Sequence, residues 1–300
     1  MNADRTPGKL LLFGEYTVLL GGKALAMPLP HLYGYWAYSQ VEPELDLMPF
    51  AEHLSQLRQG QQLLAPLDTE SFKSEVAKGL FFKSNIPVGY GAGSSGALCA
   101  AVYERFAVPG LAKNDEQALS LLQRQLAQME RFFHGQSSGT DPLICYLKQA
   151  LLIDGKTIRP IETGDRSAHR GCFFLMDTGI SRRTAPLVQR FKAKCEDGRF
   201  RESAMQQLAQ PTAVAIDAYL YNEEAVLEKA LSQISAAQLL LLPDFIPGPF
   251  HSIWSQGLKQ RQFYLKLCGA GGGGFLIGYA PNGHLPEGIP PGIRSPLPGI

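Results

Sequence analysis

The sequence has almost no net charge and no long hydrophobic run. Its 300 residues include 28 Lys and Arg against 27 Asp and Glu, a formal charge of +1. This balance excludes an overall basic field that would draw the chain onto nucleic acid or an anionic membrane. The apolar runs Leu10–Phe13 and Leu239–Leu242 are too short for a signal peptide or a membrane span. We therefore expect neither a nucleic-acid nor a membrane partner, and any anion must be bound locally.

The sequence also lacks a paired cysteine motif. Its five cysteines are odd in number, scattered, and contain no CxxC pair. This pattern argues against a disulfide framework or a zinc site and is typical of reduced thiols. We therefore expect a cytoplasmic location.

The local patterns predict an α+β protein, because strands and helices alternate unevenly along the chain. Hydrophobic residues make up 45% and charged residues 18% of the chain, which indicates a substantial core. We expect a strand at Tyr16–Leu20 after the first strand, and one helix over Ala213–Ser232. The clearest helix covers Asp115–Phe132, with Asn114 as its N-cap.

Two glycine clusters, Gly91–Gly96 and Gly269–Gly274, formally match the GxGxxG pattern of dinucleotide-binding folds. Neither ends in Gly-Lys-Ser/Thr, so the sequence lacks a Walker A motif, and neither follows the first strand of the chain. The serines within the first cluster, Ser94 and Ser95, stand where a helix leaves its N–H groups unpaired, which favours phosphate binding. A plain tight turn is the alternative.

Gly135–Gly139 reads GQSSG and fits the GxSxG nucleophile elbow of serine hydrolases, with Ser137 as the nucleophile. That elbow requires a strand before the serine, whereas the predicted long helix precedes it here. Lys9, Glu15, Glu130 and His134 each have an ordinary structural interpretation when taken alone. Asp141 alone is well suited to cap a helix that starts at Pro142.

Four motifs in chain order carry a family resemblance. They are PGKLLLFGEYTVLLGG (Pro7–Gly22), PVGYGAGSSGAL (Pro87–Leu98), HGQSSGTD (His134–Asp141) and KLCGAGGGG (Lys266–Gly274). This order and spacing resembles the GHMP kinases, the superfamily of galactokinase, homoserine kinase, mevalonate kinase and phosphomevalonate kinase. Pro-Gly-Lys in the first motif and Glu130 before His134-Gly135 are most similar to mevalonate kinases. Tyr16 after Gly-Glu, and Gly96 after the two serines, are more typical of phosphomevalonate kinases.

The resemblance implies a two-domain GHMP kinase fold with the active site between the domains. Residues 1–160 would form an ATP-binding domain like the second domain of ribosomal protein S5. Residues 161–300 would form a ferredoxin-like domain. A homodimer stays open.

The resemblance also implies transfer of the γ-phosphoryl group of ATP to a hydroxyl of a small molecule, with Mg²⁺ as cofactor. Mevalonate is the favoured acceptor, and phosphomevalonate or a sugar is the alternative. A catalytically silent sensor of nucleotide or metabolite is the alternative from another functional class.

The implied site residues follow from the matching motif positions. The nucleotide phosphates would be bound by Gly89, Gly91, Ala92, Gly93, Ser94, Ser95, Gly96, Gly271 and Gly272. Mg²⁺ would be held by Ser95 and Glu130, while Asp141 would accept the acceptor proton beside Lys9. Substrate contacts would come from Glu15, Tyr16, His134, Arg182 and Thr184.

Overall fold

The computed structural model describes residues 5–39, 45–108, 116–155, 157–164, 169–285 and 294–297. Helices and strands are mixed along the chain, which confirms the α+β prediction. The α-helices of these residues are α1 (Met48–Gln59), α2 (Thr69–Ala77), α3 (Ser94–Phe106), α4 (Glu116–His134), α5 (Thr140–Leu147), α6 (Thr184–Lys194), α7 (Gly198–Ala204), α8 (Gln210–Leu220), α9 (Glu224–Leu241) and α10 (His251–Gln260).

The strands form two sheets whose recorded pairings are antiparallel. The strands are β1 (Thr6–Phe13), β2 (Ala24–Tyr38), β3 (Leu80–Ser84), β4 (Ala150–Asp154), β5 (Thr157–Ile161), β6 (Cys172–Asp177), β7 (Tyr264–Leu267), β8 (Phe275–Ala280) and β9 (Arg294–Pro296). The five-stranded sheet has the order β1-β2-β4-β5, with β3 pairing on β2. The four-stranded sheet has the order β7-β8-β6-β9.

The chain divides into two compact units. Unit 1 contains Met1–Lys9, Met27–Pro87 and Ala92–Gln149, and unit 2 contains Leu10–Ala26, Val88–Gly91 and Ala150–Ile300. Strands β1 and β2 therefore contribute residues to both units. The predicted domain boundary at residue 160 stays a prediction.

Unit 1 is built around helix α3, which packs against α4 and α5. The Leu122, Leu126 and Met129 side chains of α4 are fully buried, so the apolar stripe of this helix faces the core. The predicted cap Asn114 and Asp115 lie outside the described residues. A second cluster joins Trp36 of β2 to aromatic rings of α2 and α3. These contacts pack β2, α2 and the C-terminal end of α3 together.

Unit 2 contains the four-stranded sheet together with helices α6 to α10. Its core surrounds Trp254, whose side chain is fully buried and whose indole N–H donates to Ser235 Oγ at 2.9 Å. The strands β7 and β8 carry the second glycine cluster between them, at residues 269–274. The sheet therefore fixes both ends of that cluster.

Two of the predicted elements differ from the structure. Thr17–Leu20 is a 3-10 helix rather than a strand, since Tyr16 before it takes a φ of 65° that strands do not allow. The predicted helix Ala213–Ser232 is two helices, α8 and α9. Asn222 breaks it with a φ of 60°, and the next N–H, of Glu223, bonds back to Ala218 O at 2.9 Å. This is a Schellman-type helix end, for which asparagine is suited.

Among the described residues, no helix is long and apolar enough to cross a membrane. All five cysteines lie in the described residues and are free thiols, with Cys99, Cys145 and Cys268 buried. None of them pairs with another cysteine in the described residues.

The pairing of Phe174 with Gly278 in β6 and β8 leaves no room for a larger residue. A Cβ at Gly278 would overlap the Phe174 ring, which is fully buried. We expect Gly278→Ala to lower the free energy of unfolding by about 2 kcal/mol, because overpacking forces side chains from their rotamers. Urea titration measures this change. Gly198→Ala is the matched control, since a Cβ there meets no atom within 4 Å. Equal midpoints for the two variants would contradict this packing.

Candidate functional site

The N-terminus of α3 in unit 1 presents unpaired backbone donors. Gly93 is the N-cap with a φ of 79°, and Ser94 begins the helix. Within the described part of the chain, none of the N–H groups of residues 92–96 donates to a protein acceptor. A helix start of this kind favours anions, since its N–H groups and its dipole both point toward them.

Lys9 lies directly beside this helix start. Its backbone N–H donates to Ala92 O at 2.8 Å, and a Cβ at Gly93 would lie 2.7 Å from Lys9 Cγ. Glycine is therefore required at position 93 both for the positive φ and for the close approach of the lysine. The lysine side chain is 10% exposed.

Asp141 brings a carboxylate to the same place. Its Oδ2 lies 2.8 Å from Lys9 Nζ, and the aspartate side chain is 41% exposed. The N-cap of α5 is Gly139 and not Asp141, so the predicted capping role was wrong. Asp141 lies in the first turn, where its carboxylate pairs with the lysine. A Cβ at Gly96 would lie 3.1 Å from Asp141 C, so this glycine lets the starts of α3 and α5 approach closely.

Ser95, Glu130 and His134 form a second group at the α3 N-terminus. The Ser95 hydroxyl donates to Glu130 Oε1 at 3.0 Å, and its oxygen lies 2.9 Å from His134 Nε2. Ser137 donates to the other oxygen, Oε2, of Glu130. The structure therefore brings together the predicted metal ligands Ser95 and Glu130, and it adds Ser137, which the motif analysis considered only as a hydrolase nucleophile.

Glu130 is nearly buried, with 5% of its surface exposed. The pKa of its carboxyl is raised to about 7, first by burial and then by the nearby negative charge of Asp141, while hydrogen bonds from Ser137 and Ser95 and the charge of Lys9 partly offset this rise. A carboxylate with this pKa carries its charge only in part at neutral pH, and a cation placed beside it would favour the charged form.

The oxygen atoms of Ser95 and Glu130 are the hard donors that Mg²⁺ prefers. In the residues that the structure describes, no group of three or more His, Cys, Asp or Glu side chains forms a metal site. Two protein oxygens are compatible with Mg²⁺, because this ion keeps several waters and binds substrate phosphates. The residues therefore fit Mg²⁺ held jointly with a nucleotide, rather than an all-protein metal cage.

Unit 2 contains the remaining predicted residues. Residues 268–274, which we call the glycine segment, follow β7. Three N–H groups of the segment are already paired. That of Gly269 bonds to the Glu15 carboxylate, and those of Gly272 and Gly274 bond to Phe245 O and Ile180 O, each of these two at 2.6 Å. The predicted nucleotide contacts of Gly271 and Gly272 stay predictions, and Gly272 would have to make its contact without a free N–H.

Arg182 is a partly buried cation of unit 2 that contacts the glycine segment. Its Nη2 donates to Cys268 O at 2.9 Å, and its backbone N–H donates to Gly89 O at 3.1 Å. A Cβ at Gly91 would overlap Nη2, so glycine is required there as well. The Nε and Nη1 atoms are buried and have no hydrogen-bond acceptor among the described residues.

The other predicted substrate residues lie in different surroundings. Glu15 and Tyr16 are buried in unit 2, where Glu15 pairs with Lys266 and the Tyr16 hydroxyl bonds to Ala270 O at 2.6 Å. Thr184 begins α6 and is exposed, as is His134 in unit 1. Their contacts with substrate stay predictions. The sequence motifs assigned no role to Lys266. Its place between apolar residues of a buried strand could have indicated that its ammonium pairs with an acidic side chain inside the protein.

Comparison with known proteins agrees with the motifs. Residues 60–149 match the family described as GHMP kinases N terminal domain. A curated relative, the mevalonate kinase of Thermococcus onnurineus (strain NA1), is 24% identical over 312 residues, covering 92% of this chain and 88% of the relative.

Solved structures have the same fold at low identity. L. major mevalonate kinase in complex with R-mevalonate is 19% identical with a TM-score of 0.61, covering 92% of this chain and 86% of the other. Streptococcus pneumoniae phosphomevalonate kinase in complex with phosphomevalonate and AMPPNP is 17% identical with a TM-score of 0.62, covering 93% and 92%. The resemblance to the GHMP kinases is therefore confirmed, and with it the predictions of their fold and of a phosphotransferase.

The raised pKa of Glu130 predicts a pH-dependent stability of the ligand-free protein. The folded state holds this proton more tightly than the unfolded chain, whose glutamate has its ordinary value of 4.5. The contribution of this proton to the free energy of unfolding is therefore full below about pH 4.5 and is lost as the pH rises through about 7. Glu130→Gln removes this dependence, so the variant should gain up to about 3 kcal/mol relative to wild type between pH 5 and pH 8.

Urea titrations of both proteins without Mg²⁺ at pH 5 and pH 8 measure this difference. Glu104→Gln in the same unit, whose partner is Lys148 at 3.2 Å, is the exposed control. If the Glu130→Gln and Glu104→Gln variants show the same pH dependence relative to wild type, Glu130 does not hold its proton in the folded state.

Proposed function

We propose that this GHMP kinase transfers the γ-phosphoryl group of ATP to a hydroxyl of a small molecule, with mevalonate as the favoured acceptor. The observation that carries the proposal is the Lys9–Asp141 pair at 2.8 Å beside the unpaired N-terminus of α3. Phosphoryl transfer depends mostly on positioning and on neutralising charge. Unit 1 supplies anion donors, a cation and a carboxylate within one small region.

In the proposed reaction, the acceptor oxygen forms a bond to the γ-phosphorus while the bond from that phosphorus to the β–γ bridging oxygen breaks, and ADP leaves. Asp141 accepts the proton of the acceptor hydroxyl as general base. Lys9 neutralises negative charge on the transferring group and keeps the aspartate oriented through their ion pair. Both roles require the two side chains to adjoin the phosphate donors.

The N–H groups of Gly93, Ser94, Ser95 and Gly96 bind the nucleotide phosphates in this proposal. The preceding Gly89, Gly91 and Ala92 also have no acceptor for their N–H groups within the described residues. Backbone donors suit a polyphosphate because they are fixed before it binds. The complex of the Streptococcus pneumoniae kinase with AMPPNP supports a nucleotide as the phosphate donor.

Ser95 and Glu130 would hold Mg²⁺ in this proposal. Bound Mg²⁺ neutralises the charge of the β- and γ-phosphates and orients them for transfer. Ser137 and His134 keep the two ligands in place through their hydrogen bonds. Because Glu130 is buried beside Asp141, its carboxylate is fully charged only when a cation is near.

Arg182 provides the reason to prefer an anionic acceptor. Two donors of its guanidinium, Nε and Nη1, are buried and have no acceptor among the described residues, and such groups are stabilised by a carboxylate or a phosphate. Mevalonate carries a carboxylate and phosphomevalonate carries a phosphate as well, whereas a neutral sugar carries neither. The names of the relatives support mevalonate, and Tyr16 in the first motif keeps phosphomevalonate as the alternative.

The Lys9–Asp141 pair favours an enzyme over the sensor alternative. A catalytically silent sensor would need the α3 N-terminus but not this pair. A cytoplasmic location agrees with five free thiols, since a reducing compartment preserves them. The homodimer stays a prediction.

The reaction is tested by coupled ADP release with mevalonate, phosphomevalonate, homoserine and galactose. We expect turnover with mevalonate, and a loss of at least about 100-fold in Asp141→Ala and Lys9→Met, since general bases contribute factors of this size. Binding of an ATP analogue, measured by calorimetry, should survive in both variants.

Lys148→Met is the matched control, because it removes a lysine from another ion pair of unit 1, the one with Glu104. Its turnover should equal that of wild type. Unchanged turnover in Asp141→Ala and Lys9→Met would remove the proposed mechanism.

The role of Arg182 is tested with the matched pair Arg182→Gln and Arg183→Gln. Arg183 is exposed beside the start of α6. We expect the first variant to raise KM for an acidic acceptor about 10-fold or more, because a charge-assisted hydrogen bond is lost. The second should leave KM unchanged. Steady-state kinetics in the ADP-release assay measure both, and equal KM values would place the acceptor elsewhere.

A further inference from the structure

We propose that Glu15 and Tyr16 are positioning residues that fix the glycine segment, and that this segment in turn fixes the guanidinium of Arg182. They would act without touching the acceptor, although the motif resemblance predicts substrate contacts for both. The inference rests on the proposed function only for the role of Arg182 in acceptor binding. All the contacts that carry it lie within unit 2.

Tyr16 is held in an unusual backbone conformation that turns its ring inward. Its φ is 65°, a value that bulky residues rarely adopt and that persists where the surroundings enforce it. The ring stacks on Phe191 at a centroid distance of 4.5 Å and meets Phe245 edge-on at 5.0 Å. The hydroxyl emerges from this aromatic pocket and donates to Ala270 O at 2.6 Å.

Glu15 holds the residue before Ala270. Its carboxylate accepts the Lys266 ammonium and also the N–H of Gly269. Lys266 Nζ makes a second bond, to Leu267 O at 2.9 Å, and both side chains of the pair are 2% exposed. A buried pair with these additional hydrogen bonds specifies one arrangement of the chain around it.

Three consecutive residues of the glycine segment are thus each bound by a different side chain. Arg182 binds Cys268, Glu15 binds Gly269 and Tyr16 binds Ala270. A Cβ at Gly269 would lie 3.1 Å from Arg182 Nη2, so the arginine has little free space on that side. A shift of Gly269 or Ala270 would therefore move Cys268 O away from Nη2.

The arrangement predicts how the arginine is presented to a ligand. With Nη2 bonded to Cys268 O, the guanidinium plane is fixed, and in the part of the chain that the structure describes its Nε and Nη1 donors have no acceptor. A planar fork with fixed orientation loses less conformational freedom when it binds a carboxylate or phosphate. Loss of the Tyr16 hydroxyl should therefore weaken acceptor binding rather than the chemical step.

The test compares Tyr16→Phe with Tyr264→Phe. Both changes remove one buried tyrosine hydroxyl from unit 2, and that of Tyr264 donates to Glu228 Oε1 at 3.2 Å, away from the glycine segment. We expect Tyr16→Phe to raise KM for the acidic acceptor about five-fold, the effect of one hydrogen bond, with kcat within about two-fold of wild type. Tyr264→Phe should change neither constant.

Hydrogen–deuterium exchange on the ligand-free proteins provides a readout that does not depend on activity. Peptides spanning residues 268–274 should exchange several-fold faster in Tyr16→Phe than in wild type or Tyr264→Phe, while the other peptides of unit 2 keep their rates. If Tyr16→Phe matches Tyr264→Phe in either measurement, or if exchange rises throughout unit 2, the positioning role is overturned.

The two proposals fail in different ways. If wild type phosphorylates none of the acceptors, the proposed function fails, and the exchange experiment alone decides whether Tyr16 fixes the glycine segment. If wild type is active and Tyr16→Phe has an unchanged KM, the proposed function stands and the positioning role fails.

Discussion

The close approach of three chain segments at the start of α3 is the constraint on which the candidate site depends. Lys9, Gly93 and Asp141 belong to segments far apart in sequence, yet an ion pair of 2.8 Å joins the first to the last. Side chains larger than hydrogen at positions 93 and 96 would push these segments apart. A helix N-terminus alone binds anions. In the proposed reaction, the adjacent lysine and aspartate make this terminus a site for phosphoryl transfer.

Unit 2 also places charged side chains against a glycine-rich segment, since Arg182 and Glu15 both bond to the glycine segment. A buried ion pair contributes little to stability, because removing both charges from water costs about as much as their attraction provides. The Glu15–Lys266 pair is therefore better explained by the arrangement that it specifies. Arg182 differs from this pair, since two of its donors have no acceptor in the described residues. An anionic ligand would remove the cost of that burial.

Kinase class and acceptor identity rest on different parts of the molecule. The phosphotransferase class follows from the family match and the curated relatives. The proposed roles of Ser95, Glu130 and Asp141 rest on the unit 1 geometry. The acceptor depends on the shape and charge of segments without a readable motif, and relatives at about a quarter identity do not determine it. Arg182 is the described residue whose chemistry bears most directly on that choice.

The sequence by itself determined the α+β class, the long helix α4 and the residue types proposed for phosphoryl transfer, because periodicity and glycine clusters are local signals. It did not show the helix break at Asn222, since an asparagine inside an apolar pattern marks a helix end only when its φ is known. Only the tertiary structure decided that Ser137 bonds to Glu130, that Lys266 pairs with Glu15 and that Gly272 uses its N–H internally. Those partners are set by packing between segments remote in the chain, and a linear pattern carries no distance between them.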